Sequence, residues 1–291
     1  MRLTMLVALA MLAFAGNSLL CRLALRDTAI DAASFTTLRL VSGALALWLI
    51  VRLRGAATAG GDWRSAFVLF VYAAGFSFAY LALDAGTGAL LLFGAVQTTM
   101  IGHGLARGER LRGPQWLGLV LAMSGLVGLL LPGVSMPPPG GAALMLCAGA
   151  AWGVYSLRGR GLADPLAATA GNFLRAAPMA LVLSVLLLAR VRTSPAGILL
   201  AITSGAVTSG IGYVLWYAAL KGLSALRAAA VQLSVPPIAA FGAVLFLAEP
   251  LTPRLATASA AILGGIALVL ASRTQSQRAA PPLDPGRTTK P

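Results

Sequence analysis

Ten stretches of this chain stay apolar for about twenty residues apiece, which is what a helix needs to cross roughly 30 Å of hydrocarbon at 1.5 Å per residue. Read between charges and Pro/Gly punctuation, they cover 3–24, 33–51, 65–83, 86–106 and 114–131, then 141–157, 166–189, 196–219, 225–247 and 255–271. The runs are continuously apolar and lack the alternation of a barrel strand, so they read as helices. Composition agrees: 58% of residues are hydrophobic and 10% charged, against about 25% charged in a soluble domain. A net charge of +14 would point a soluble protein toward nucleic acid. Here the basic residues punctuate apolar runs, so they report membrane topology and no nucleic-acid partner is expected. The fold class is an all-α membrane protein with ten transmembrane helices.

Residues 1–15 also have the outline of a signal peptide: Arg2, an apolar core, and small residues at Ala13 and Ala15. The apolar run continues to Leu20, and the internal repeat below uses it, so it reads as the first span. Residues 273–291 are polar and Pro-rich and are expected to form a disordered cytoplasmic tail. Cys21 and Cys147 both lie inside apolar stretches, which implies no disulfide framework.

Orientation follows from the basic residues. With the N-terminus in the cytoplasm, the inner side receives fifteen Lys or Arg and the outer side five, namely Arg22, Arg26, Arg190, Arg192 and Arg254. That asymmetry places both termini inside.

The two halves of the chain echo each other. Phe76-Ser77-Phe78-Ala79-Tyr80-Leu81-Ala82-Leu83 aligns with Tyr213-Val214-Leu215-Trp216-Tyr217-Ala218-Ala219-Leu220 at an offset of 137. The same offset pairs Gly16 with Gly153, and Arg39 falls opposite Arg175 at 136. A slip of three residues pairs Gly108-Glu109-Arg110-Leu111 with Ala248-Glu249-Pro250-Leu251. Because five spans is an odd number, the second copy enters from the opposite side. The chain therefore reads as two inverted five-helix repeats, 1–136 and 137–272, an organisation that supplies two near-equivalent packings around a midplane site.

These residues carry a resemblance. Tyr217-Ala218-Ala219-Leu220, Leu223-Ser224-Ala225, Leu233-Ser234-Val235-Pro236-Pro237-Ile238-Ala239-Ala240 and Ala248-Glu249-Pro250-Leu251-Thr252 resemble the second half of an EamA-type member of the drug/metabolite transporter superfamily. Gly108-Glu109-Arg110-Leu111 resembles the matching first-half signature, and Trp152-Gly153 the start of the sixth helix. The resemblance runs to about Ser272. It implies a ten-helix carrier, similar to the amino-acid and aromatic amino-acid exporters of the bacterial inner membrane, with helices one, three, four, six, eight and nine around a central cavity. One departure bears on substrate: Pro237 stands twelve residues before Glu249, as in the family, whereas Gln97 holds that place before Glu109.

Polar groups inside the spans are the candidate site, since each must find a partner or a water-filled cavity. Gln97, Asn17 and Gln232 offer amides that suit a zwitterion, or else interhelical hydrogen bonds worth about 1 kcal/mol. Phe76 with Tyr80, Tyr213 with Tyr217, and Trp152 with Tyr155 read as walls of an aromatic cavity, or as packing and an interfacial belt. Arg39 and Arg175 each cost roughly 2.5–3.5 kcal/mol near the bilayer centre. Arg175 is the candidate for a substrate carboxylate; the competing reading is an arginine that bonds helix carbonyls.

His103, the one histidine, is a candidate proton carrier or a packing residue. No acidic residue falls at the middle of a span, which disfavours carboxylate-driven antiport, and Glu109 and Glu249 read as anchors at helix ends. Pro236 and Pro237 are candidate hinges, and Pro178 reads as a static bend. One histidine and two distant cysteines make no ligand set, so no metal or cofactor is expected. The expected partners are the lipid bilayer and a small-molecule substrate, and the sequence leaves the oligomeric state open. An intramembrane hydrolase would have to work with Thr208-Ser209-Gly210 and His103, and a channel would need a selectivity filter that the chain does not resemble.

Overall fold

A computed structural model describes residues 2–55, 60–108, 113–131, 136–159, 162–223 and 231–278. The first-half helices are α1 (Arg2–Asp27), α2 (Ala32–Leu53), α3 (Trp63–Ala79), α4 (Ala85–Ala106) and α5 (Gly113–Leu130). The second half has α6 (Pro139–Gly159), α7 (Pro165–Leu186), α8 (Pro195–Leu220), α9 (Val235–Leu247) and α10 (Pro253–Arg278). No strand occurs among the described residues. Seven of these helices are long and apolar enough to cross a membrane, whereas α3, α9 and the Pro253–Leu268 part of α10 are shorter apolar helices.

Helix starts follow from capping chemistry. The Asp31 side chain accepts from the backbone N–H groups of Ala33 and Ser34 ahead of α2, and Asp164 accepts from Leu166 and Ala167 ahead of α7. Asp62 caps α3 and Ser194 caps α8 in the same way. Each cap satisfies donors that have no partner within the helix, an effect worth about 1 kcal/mol.

Packing runs through a few pairs. α3 lies against α6 and α7, α1 against α8 and α9, α2 against α7 and α8, and α4 against α6 and α9, while α5 and α10 pack mainly on each other. Small residues permit this closeness: a Cβ on Gly149 of α6 would sit 2.5 Å from the Leu92 carbonyl oxygen of α4. Leu49, Leu53, Phe67, Val120, Leu186, Phe241 and Phe246 are exposed. That many large apolar side chains facing outward suits hydrocarbon rather than water as the surrounding solvent.

The helices depart from the expected ones in four places, the first being α3, which stops at Ala79 rather than 83. α8 is not uniformly α-helical, because Ser204–Ile211 winds as a π-helix between α-helical Pro195–Thr203 and Gly212–Leu220. α9 begins at Val235, after a turn at Leu233 and Ser234, so Pro236 and Pro237 occupy its first turn, where a missing N–H costs nothing. The expected start at 225 falls within 224–230, outside the described residues, as do Glu109, Arg110 and Leu111. At the end of the chain α10 continues to Arg278, past the expected onset of a disordered tail at 273; residues 279–291 lie outside the described residues.

Candidate functional site

Aromatic rings at helical spacing meet across α3, α6 and α8 as a continuous ladder. Tyr217 stacks on Tyr213 (centroids 6.3 Å apart), Tyr213 on Trp152 (5.3 Å), and Trp152 contacts Tyr72 (4.8 Å). Tyr72 then meets Phe76 (5.6 Å) and Phe76 meets Tyr80 edge-on (4.8 Å). Phe14 of α1 closes the side against Tyr213 at 6.0 Å. Offset and edge contacts of this kind add about 0.5–1.5 kcal/mol each beyond the area they bury.

Arg39 sits against the middle of that ladder. It is 2% exposed, and its guanidinium carbon lies 4.8 Å from the Phe76 ring centroid and 5.3 Å from that of Tyr72. Nη2 donates to Tyr72 Oη at 3.0 Å and Nε to Ser209 Oγ at 3.4 Å, while Nη1 is buried and makes no hydrogen bond. Here α2, α3 and the π-wound part of α8 converge, and a π-segment is a frequent mark of a functional site. A cavity of ≈ 20 Å³, room for about one water, adjoins Arg39 and is also lined by Phe14, Asn17, Phe76, Trp152, Thr208 and Tyr213. Asn17 Oδ1 accepts from Ser204 Oγ at 2.7 Å, which fixes the amide on the cavity wall.

Beyond the cavity, past Tyr80, ions tie the helices together. Beyond Asn17 on α1, Arg22 donates to Glu249 Oε1 at 2.9 Å and to the Tyr80 carbonyl at 3.0 Å, and it lies 3.3 Å from Asp84 Oδ1. Glu249 Oε2 accepts from the Ala85 N–H at 2.7 Å. Glu249 follows Ala248, which adopts the left-handed conformation (φ 51°) at the C-cap of α9. Charged groups from α1, α4 and the end of α9 thus meet over the ladder's last ring.

On the other side, past a pair of rings, the bundle opens. A vestibule of ≈ 1020 Å³ is bounded by Leu6, Arg54, Met100, Tyr155, Tyr217, Lys221 and Gln232, at the end of the bundle where α1 begins and α2 finishes. Trp152 and Tyr213 line both the vestibule and the small cavity, so their stacked pair forms the partition between the two. Beside the vestibule, a separate cavity of ≈ 170 Å³ shares Tyr155 and Tyr217 with it and is lined by Asp62, Ser65 and Arg158. There Arg158 donates to Ser65 Oγ at 2.8 Å and to Asp62 Oδ1 at 3.0 Å. Burial pushes the Asp62 carboxyl upward, but the Ser65 hydrogen bonds and the Arg158 charge outweigh it and hold the group below its ordinary value.

Of the residues singled out in the sequence, Asn17, Phe76, Trp152 and Tyr213 line the small cavity, and Tyr155, Tyr217 and Gln232 line the vestibule. Tyr80 is fully buried beyond the cavity and donates to the Ala85 carbonyl at 3.3 Å. Gln97 is buried in α4 outside both linings, with Nε2 making no hydrogen bond. His103 is exposed near the end of α4. Pro236 is buried and Pro237 exposed at the start of α9.

Arg175 lies apart from the cavity: Nη1 donates to the carbonyls of Gly60 and Gly171, each at 2.9 Å. The cavity arginine is Arg39, held by Tyr72, which sequence reasoning passed over, and by Ser209, which it weighed only as raw material for a hydrolase. The signal was available, since Tyr72 extends the Phe76–Tyr80 face by one more turn and Ser209 stands opposite it at the offset of 137.

Comparison with known proteins gives three findings. The model of the EamA-like transporter family matches residues 139–271. An uncharacterized protein of Pseudomonas aeruginosa is 60% identical over 274 residues, covering 94% of this chain and 96% of that one. A solved crystal structure superposes with a TM-score of 0.66 at 20% identity, over 93% of this chain and 98% of the other, which is a likeness of fold.

Proposed function

The chain belongs to the EamA-like transporter family, and we propose that it is an alternating-access carrier of small carboxylate-bearing metabolites, the class that includes amino acids. The observation that carries this reading is the buried Arg39 on an aromatic ladder, with the Arg22–Glu249 pair beyond the ladder on one side and, past the stacked Trp152 and Tyr213, a wide vestibule on the other. A buried site with a wide vestibule on one side only is what a carrier presents in one of its states, whereas a channel requires a continuous path.

The helix pairings support ten spans in two inverted halves. Exchange each helix for the one five places later, and α3 on α6 becomes α8 on α1, α4 on α6 becomes α9 on α1, and α3 on α7 becomes α8 on α2. The pairs α2–α7, α4–α9 and α5–α10 map onto themselves. Caps follow the same rule, with Asp31 answering to Asp164 and Asp62 to Ser194. The left-handed residues Gly108 and Ala248 likewise end α4 and α9. Two halves with equivalent contacts can rock between two packings of similar energy.

With both termini cytoplasmic in an inner membrane, as the basic residues favour, the vestibule faces the cytoplasm and the ionic plug faces outward. That is the state in which an exporter loads. Asn17, Phe76, Trp152 and Tyr213 then contact substrate at the midplane, Tyr155, Tyr217 and Gln232 meet it on entry, and the first turn of α9 at Pro236 and Pro237 is a hinge. The test is counterflow in vesicles reconstituted with the full chain and loaded with unlabelled amino acids or their carboxylate analogues. Trans-accelerated uptake of label supports the carrier, and linear, unsaturable flux refutes it.

A further inference from the structure

We propose that the Arg39 cavity selects a small organic monoanion, a carboxylate on an apolar or aromatic body without an ammonium group. The inference rests on the carrier reading and narrows its substrate class.

The first argument is charge. A guanidinium stays protonated at any physiological pH, so Arg39 holds a permanent positive charge deep in the bundle. Its neighbours are neutral: Tyr72 Oη, Ser209 Oγ and the faces of Tyr72 and Phe76. No carboxylate pairs with it among the described residues. Nη1 is buried beside the cavity without a hydrogen bond. A monoanion neutralises the site and gives Nη1 an acceptor; a charge-assisted bond of this type is the strong kind.

The second argument is what an ammonium group would meet. The described lining carries no acidic side chain. Asn17 Oδ1 already accepts from Ser204, Tyr72 Oη already accepts from Arg39, and Arg39 itself covers the nearby ring faces. An amino group would therefore be desolvated close to a like charge with only neutral hydroxyls to accept from it and no carboxylate to balance it, which is costly. The third argument is the body. Trp152 and Tyr213, stacked 5.3 Å apart, separate Arg39 from the vestibule, so a body carried on the carboxylate must part that pair and then lies against aromatic faces.

The experiment compares four probes on one carbon skeleton, phenylpropionate, phenylalanine, phenylpropanamide and 3-phenylpropylamine, binding to the purified full chain in detergent. Phenylpropionate is expected to bind about tenfold or more tightly than the other three and to raise the melting temperature most, as expected for a hydrogen bond to a charged group. Arg39→Gln abolishes the preference, and Arg39→Lys keeps it at lower affinity. If Arg39→Gln does not fold, Ser209→Ala and Tyr72→Phe decide, each weakening phenylpropionate selectively. Phenylalanine or the amide binding as tightly as phenylpropionate overturns the proposal, as does a preference that survives these substitutions. Arg39-dependent binding without counterflow would sink the carrier and leave the anion site standing. Counterflow of phenylalanine with no carboxylate preference would do the reverse.

Discussion

Nε of Arg22 lies 2.9 Å from Oε1 of Glu249, a pair 227 residues apart in the chain that joins the end of α1 to the residue after the C-cap of α9. Glu249 is 6% exposed, and its other oxygen takes the first backbone N–H of α4. The pair therefore fastens three helices above the aromatic ladder. Removing one member of a buried pair strands the other and costs about 3–5 kcal/mol. Here Asp84, 3.3 Å from Arg22, remains as a second partner. Loss of Glu249 should consequently loosen this end without unfolding the protein.

Cys21 reports on that end, because it is free and fully buried beside Arg22, while the other cysteine, Cys147, is exposed. In a Cys147→Ser background, Glu249→Gln is expected to speed labelling of Cys21 by an impermeant maleimide about tenfold, the population shift that ~1.4 kcal/mol produces. Labelling no faster than in the parent would mean that the Arg22–Glu249 contact does not hold the end shut.

Arg175→Met should act on stability more than on binding. Its guanidinium ties α7 to the Gly60 carbonyl, in the segment that leads into α3. The substitution is expected to lower the melting temperature by several degrees, as a loss of ~1–2 kcal/mol would. Affinity for carboxylate probes should stay within about twofold of the parent. A folded Arg175→Met protein with abolished binding would return Arg175 to the substrate site.

Arg39 and Arg175 show how much of this was legible in the sequence. The long spans were, because hydrocarbon demands length and apolarity whatever the tertiary structure. The aromatic ladder was also legible, since rings four residues apart share a helical face and recur at one offset. Deciding between the arginines needed the neighbour one turn back. Arg175 follows Gly171, which has no side chain, so the guanidinium can fold back onto the Gly171 and Gly60 carbonyls. Arg39 follows Phe35, fully buried, which leaves its guanidinium to the Tyr72 and Phe76 rings. The π-winding of Ser204–Ile211 was not legible, because the same residues could be wound as an α-helix and contacts with α2 accompany the choice.

Asp62 makes the contact between the start of α3 and the end of α6 sensitive to acid. Its folded-state carboxyl titrates below the ordinary value of 3.8. The contribution of its bonds to Ser65 and Arg158 is therefore fully present above that ordinary value and disappears as pH falls through the lower folded-state value. Asp62→Asn should depress the melting temperature at pH 7 relative to the parent, and the difference should shrink at the most acid pH the protein tolerates. Because Asp62 is half-exposed, screening makes the effect small and salt-sensitive. A gap between the two proteins that widens on acidification would show that the ion pair is not its source.

Gly205 is where the packing of α8 on α2 leaves no room for a side chain. A Cβ there would overlap Ser42 Oγ and the Arg39 carbonyl, and the latter is backbone that cannot swing aside. Gly205→Ala must therefore push the π-wound segment away from α2, carrying Ser209 away from the Arg39 guanidinium that it accepts from. Overpacking of this kind costs about 1–3 kcal/mol, and binding of carboxylate probes should fall about tenfold as one bond to the guanidinium is lost. Gly128→Ala is the matched control, because nothing lies within 4 Å of the Cβ it would add on α5. If Gly205→Ala melts and binds like Gly128→Ala, close contact between α2 and α8 does not set the position of the Arg39 guanidinium.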